Sequence, residues 1–122
     1  MERKCINSVK DLEVYQSSYS SAISVFQLSK SFPKSELYSL TDQILRSSRS
    51  VPANISEGFA KRNYKGNFIL QLTAALGSVE ETKTWLDLAR DCNYLPKDQY
   101  ENVYNGYKTL GAMLYKLIQN WH

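Results

Sequence analysis

A chain of 122 residues with 43% hydrophobic content is long enough for one buried core and too short for two ordinary domains. Its net charge of +3 is too small to mark a nucleic-acid binder by itself, and no stretch approaches the ~18 apolar residues of a membrane span. The charges at the N-terminus have no apolar run behind them, so a soluble, cytoplasmic protein is expected, and Cys5 and Cys92 fit free thiols in a reducing compartment, small and buried.

Apolar or small residues recur at alternating three and four spacing in four segments, which predicts helices over 11–31, 35–60, 64–92 and 96–121 in a single domain, 1–122. In the first the row is Leu12, Tyr15, Tyr19, Ala22, Phe26; in the second it is Leu37, Leu40, Ile44, Ser47, Val51, Asn54, Gly58, turning polar and small halfway along. Ser35 suits the N-cap of this second helix. The third row, Phe68, Leu72, Ala75, Val79, Thr82, Leu86, Ala89, and the fourth, Tyr100, Val103, Tyr107, Leu110, Leu114, Leu117, Trp121, are nearly unbroken, and Pro96 is tolerated where the fourth begins. The breakers between segments are short, which makes consecutive helices antiparallel neighbours: an all-α, up-down-up-down antiparallel four-helix bundle. In such a bundle Cys5 and Cys92 stand at opposite ends, too far apart for a disulfide within one subunit.

Each helix carries a second apolar row as well, including Val14, Val25 and Leu28 on the first, Ile55 and Phe59 on the second, Trp85 and Leu88 on the third, and Tyr104, Tyr115 and Ile118 on the fourth. One bundle needs about three apolar positions in seven. The aromatic remainder suits a subunit interface, so a homo-oligomer is expected.

Within the second segment, "RSVPANISEGFAKR" interrupts the pattern. Pro52 removes a backbone donor and presses on the Ser48 carbonyl, so the helix is expected to kink or open there, with Ser47, Ser48 and Ser50 shifting hydrogen bonds locally. Asn54 and Gly58 fall on the core row, Glu57 is placed to join Asn54 in a buried polar cluster, and Gly77 is the expected partner of a close crossing at Gly58. From Ile44 to Gly66 the chain carries Arg46, Arg49, Lys61, Arg62 and Lys65 against one acid, Glu57.

Nothing here reads as an enzyme. The one histidine is His122, the last residue; Asp87 and Asp91 lie within reach of Lys83 and Arg90 as surface ion pairs; and no HExxH, P-loop, GxSxG or CxxC motif occurs. No metal site and no cofactor is expected, since di-iron bundles need Glu-x-x-His motifs that are missing.

The segments "DLEVYQ", "LYSLTDQILRSSRSVPANISEGFAKR", "FILQLTAALGSVEETKTWLDLA" and "YLPKDQYE" resemble the four-helix bundle proteins encoded in intervening sequences of bacterial 23S ribosomal RNA genes. The resemblance runs from about Asp11 to the C-terminus and is most specific at Ser50, Val51, Pro52, Asn54, Glu57, Gly58 and Phe59, followed by the basic turn, a combination heptad periodicity does not require. It implies assembly into a homopentameric ring. More distantly the family is similar to the accessory variability determinants of diversity-generating retroelements, basic pentamers that bind a reverse transcriptase and nucleic acid. The chain departs from the family pattern at Leu45, where a second basic residue is common, and at Tyr15 and Ser56.

Two functions follow as expectations. The first is a non-enzymatic accessory protein that binds the phosphate backbone of RNA or DNA through Arg46, Arg49, Lys61, Arg62 and Lys65, with Tyr64 stacking on a base. The second is a structural adaptor that recognises a protein partner such as a reverse transcriptase through its aromatic surface, without touching nucleic acid.

Overall fold

The computed structural model describes residues 6–121. Four helices, α1 (Glu13–Ser29), α2 (Leu40–Ala60), α3 (Lys65–Asp91) and α4 (Lys97–Asn120), run up-down-up-down, each packed on the next, with α4 closing against α1; the described residues contain no strand. The square arrangement puts α1 diagonally across from α3, and no Cα atoms of the two come within 8 Å.

The rows predicted for α3 and α4 form the core: Phe68, Leu72, Ala75, Val79, Thr82, Leu86 and Ala89 are all buried, as are Tyr100, Val103, Tyr107, Leu110 and Leu114. Each fully buried aliphatic among them contributes about 1.5–3 kcal/mol over leaving it exposed. Trp121 is half-buried, its ring edge-on to Phe68 at 4.6 Å.

α1 turns a different face inward from the one expected. Val14, Ser18, Val25 and Leu28 are buried, whereas Tyr19 and Phe26 are 55% and 40% exposed. Both rows are heptads, and the inner one is disguised by serine. Ser18 satisfies its own hydroxyl by donating to the Tyr15 carbonyl at 2.8 Å, so the residue acts as a small core side chain. Near Ser21 the same small volume lets Gly106 of α4 come close, a Cβ there standing 3.7 Å from Ser21 Oγ.

α2 begins later than predicted. Ser35 lies in a 3-10 turn, Lys34–Glu36, and does not cap the helix; Glu36 takes that role, its carboxylate accepting from the Leu40 N–H at 3.2 Å and from the Ser39 hydroxyl. α1 likewise starts at Glu13, after a separate 3-10 turn at Val9–Asp11. At the far end of α3, Asn93 adopts φ +62°, and the chain closes with Tyr94 N–H on the Ala89 carbonyl and Asn93 N–H on the Arg90 carbonyl, both 2.9 Å. These are the paired bonds of a Schellman stop, in which asparagine tolerates the left-handed conformation. Pro96 then serves as the N-cap of α4.

α2 runs through Pro52 without interruption from Leu40 to Ala60. The Ser47 and Ser48 hydroxyls bond back to the Ile44 and Leu45 carbonyls. α2 and α3 make the most extensive contact in the bundle, and a polar seam fastens them: Thr82 donates to Ser47 Oγ at 2.8 Å, and the Ser50 and Ser78 hydroxyls meet at 2.9 Å.

Asn54 belongs to this seam, donating to the Ser50 carbonyl and hydroxyl; Glu57 does not, because it faces solvent and pairs with Lys61 at 3.3 Å. Gly58 marks a close crossing, where a Cβ would sit 2.7 Å from Gln71 Cβ and 3.1 Å from Phe68 Cδ1. The expected partner, Gly77, is elsewhere: it points outward, and a Cβ added there would meet nothing within 4 Å. Cys92 is exposed and not buried, since it caps α3 at the bundle end; Cys5 and His122 lie outside the described residues.

Candidate nucleic-acid interface

The six residues singled out for binding fall into two groups. Lys61, Arg62, Tyr64 and Lys65 share the tight turn between α2 and α3, where the chain reverses over four residues. Arg46 and Arg49 lie one turn apart in the middle of α2. Arg49 and Lys61 are twelve residues apart, about 18 Å along the helix at 1.5 Å per residue.

Within the turn, Lys61 is tied to Glu57, and Arg62 lies back on the protein, its guanidinium 4.0 Å from the Phe59 ring centroid and donating to the Phe59 carbonyl at 3.0 Å. Phe59 therefore does more than fill the core: it holds Arg62 in place. Tyr64 is 70% exposed, and Lys65 has no ion-pair partner among the described residues. The first turn of α3 holds no acid and its N-cap, Tyr64, offers no side-chain bond, so the helix's partial positive end adds to the cations around it.

In the middle of α2, Arg46 stands 3.6 Å from Asp42 with its side chain 76% exposed. Arg49 has no ion-pair partner among the described residues and borders a hollow lined by Tyr19, Ile23, Phe26 and Pro52. Arg49 thus belongs with the outer face of α1. That face was not foreseen, although the sequence carries its mark: between Glu13 and Lys30 no residue is charged.

Burial pushes the Tyr107 phenol up in the middle of the core, and the other electrostatic perturbations lie at the far end of the bundle and serve the scaffold. The Ser39 hydroxyl, then the Tyr94 hydroxyl and the Leu40 N–H, hold the Glu36 carboxyl below the usual range, and Glu36 in return pushes the Tyr94 phenol up to about 12. The 2.7 Å bond between them joins the α1–α2 and α3–α4 connections. Burial, with the hydrogen bond to Asp87, pushes the Tyr100 phenol up to about 12. Arg90 bonds Asp91 at 2.8 Å and holds its carboxyl low, and lies 3.8 Å from Asp87; Lys83 pairs instead with Glu80. Among the described residues no three His, Cys, Asp or Glu side chains gather as metal ligands, and no helix is long and apolar enough to cross a membrane.

Residues 10–116 match the family described as 23S rRNA-intervening sequence protein. Among solved structures, the chain is similar to a protein of unknown function from the S23 ribosomal protein family of Bacteroides thetaiotaomicron VPI-5482. The identity is 30% and the TM-score 0.80, over 88% of this chain and 99% of that one. No curated protein matches.

Proposed function

The chain belongs to the 23S rRNA-intervening sequence protein family, and from that premise we propose that it is a non-enzymatic RNA-associated accessory protein that grips phosphate backbone with the α2–α3 turn. The observation that carries this reading is the turn itself: Lys61, Arg62 and Lys65 around an exposed Tyr64, at a helix start without an acid. Lysine and arginine position a phosphate backbone without reading its sequence, and a tyrosine face accepts any base. Copies gathered in a homo-oligomer, a ring of five by family analogy, would repeat the turn and multiply weak contacts. The reading includes a cytoplasmic setting and no cofactor.

Retention on single-stranded RNA across a salt series tests it. Replacing Lys61, Arg62 and Lys65 by Gln removes three candidate phosphate contacts, which should lower affinity and flatten the slope of log K against log salt by about 2, at ~0.7 per contact. Wild-type protein that fails to bind RNA even at low salt would sink the proposal. The alternative, an adaptor for a protein partner such as a reverse transcriptase, draws on the uncharged outer face of α1 with its exposed Tyr19, Ile23 and Phe26.

A further inference from the structure

The outer surface of α1 is unlike that of the other helices. Tyr19 is 55% exposed, Ile23 46% and Phe26 40%, they adjoin one another, and no charge interrupts them from Val14 to Ser29. Depletion of charge around exposed aromatic and aliphatic side chains is the compositional mark of the centre of a protein interface. Cations bound this surface on the α2 side: Arg49 beside Pro52, and Arg46 one turn away.

A face of complementary character lies diagonally opposite, on α3. Its outward row includes Gly77, Glu81, Thr84 and Leu88, all exposed, with Glu80 beside them. Leu88 is 44% exposed and Gly77 has open space around it. A glycine in the middle of a helix costs about 1 kcal/mol relative to alanine, and within one copy nothing at Gly77 requires it.

The two faces are also matched in height. Thr82 bonds Ser47 and Ser78 meets Ser50, so Glu80 and Glu81 on α3 stand level with Arg46 and Arg49 on α2. From that level, Leu88 lies about 11 Å along α3, and Leu45 and Thr41, which share a hollow with Phe26, lie about 4 and 10 Å along α2 in the same direction. Two copies side by side with parallel axes would therefore set Glu80 and Glu81 of one against Arg46 and Arg49 of the other, and Leu88 against Phe26.

We propose that the groove floored by Tyr19, Ile23 and Phe26 docks the outward face of α3 of a second copy, with Arg49 facing Glu81. This assignment rests on the reading that the protein self-associates and names the surfaces that do it. The contact joins different faces, so it propagates head to tail and closes a ring where the rotation per copy permits.

Light scattering and sedimentation of the full chain over a concentration series test it, with Ile23→Lys, Arg49→Glu, Glu81→Arg and the double change Arg49→Glu/Glu81→Arg. All three positions are solvent-facing, and far-ultraviolet circular dichroism checks that the fold is kept. Each single change should raise the concentration needed for assembly by about 10- to 100-fold, and the double charge swap should restore assembly toward wild type. A wild-type chain that stays single at every concentration overturns self-association itself. Assembly that persists in Ile23→Lys and both single reversals leaves self-association standing and overturns this choice of faces. Loss of poly(U) retention, with assembly unchanged, would give the groove to RNA and overturn it too.

Discussion

The crossing at Gly58 makes a prediction whose sign is set by geometry. Alanine in place of glycine inside a helix gains about 1 kcal/mol of propensity, and at Gly106 that gain should be realised, because its Cβ meets only Ser21 Oγ at an ordinary 3.7 Å. At Gly58 the same methyl would stand 2.7 Å from Gln71 Cβ and 3.1 Å from Phe68 Cδ1, where carbons settle at about 3.5–4.0 Å. No rotamer of Gln71 moves its Cβ, and Phe68 is fully buried, so relief requires α2 and α3 to part by about 1 Å within two turns of the connection that joins them. Overpacking of this kind costs about 1–3 kcal/mol. With the cost at the upper end, Gly58→Ala should lose about 1–2 kcal/mol net. For a chain of this length that lowers the Tm by roughly 3–12 °C, while Gly106→Ala should raise it by roughly 3–6 °C. Thermal unfolding followed by far-ultraviolet circular dichroism at one protein concentration gives both values. If Gly58→Ala melts at or above wild type, the crossing is looser than the backbone geometry requires and the reasoning fails.

Three further changes probe the interior and its ends. Tyr107 is fully buried and its hydroxyl has no hydrogen-bond partner among the described residues, the nearby Ser48 hydroxyl being turned to the Leu45 carbonyl; Tyr107→Phe should therefore hold or raise stability by up to about 1 kcal/mol in urea unfolding, and a loss of about 2 kcal/mol would show a hidden bond. Thr82→Val keeps the shape but strips Ser47 of its partner across the α2–α3 seam and should cost about 1–2 kcal/mol in the same assay; an unchanged midpoint would show that the seam contributes nothing. Folding raises the phenols of Tyr94 and Tyr100 to about 12 from an ordinary 10, so the folded state keeps protons that the unfolded chain releases, and stability present below pH 10 should fall as pH rises toward 12. Tyr94→Phe should shrink that alkaline loss in melts taken from about pH 8 to 12; an equal loss in the variant would remove Tyr94 from the account.

The helices and the rows of α3 and α4 were legible because period and burial coincide there: every buried position of α3 is on the row that spacing alone selects. On α1 two heptad rows compete, and hydropathy picks the aromatic one. What decides the matter is invisible to hydropathy: Ser18 satisfies itself within the helix and frees a small volume for the core, while Tyr19 and Phe26 are large enough to be useful outside. The α2 start escaped for a similar reason, since the cap comes from the Glu36 side chain, stabilised by Tyr94 from the other connection, a partner 58 positions away. Local patterns specify what a residue is able to do; only the packed bundle decides which neighbour asks it to.

The candidate site shows the same division between local and tertiary information. Lys61 through Lys65 were legible as a unit because a turn keeps sequence neighbours together in space. Arg46 and Arg49 stand apart from that unit, because a helix of 21 residues carries them about 18 Å or more from the turn, and Arg49 into the company of α1. A duplex or strand of sufficient length would span both groups, and Arg49 meets aliphatic and aromatic side chains there. On the two proposals above the labour divides: the turn would present cations and an aromatic ring to a phosphate backbone, and the middle of α2 would present arginines to carboxylates of a second copy. Removing Arg46 and Arg49 together should accordingly weaken assembly more than it weakens RNA retention measured per copy, while removing Lys61 and Lys65 should do the reverse. If the two pairs act alike in both assays, the basic residues work as one surface and the division is wrong.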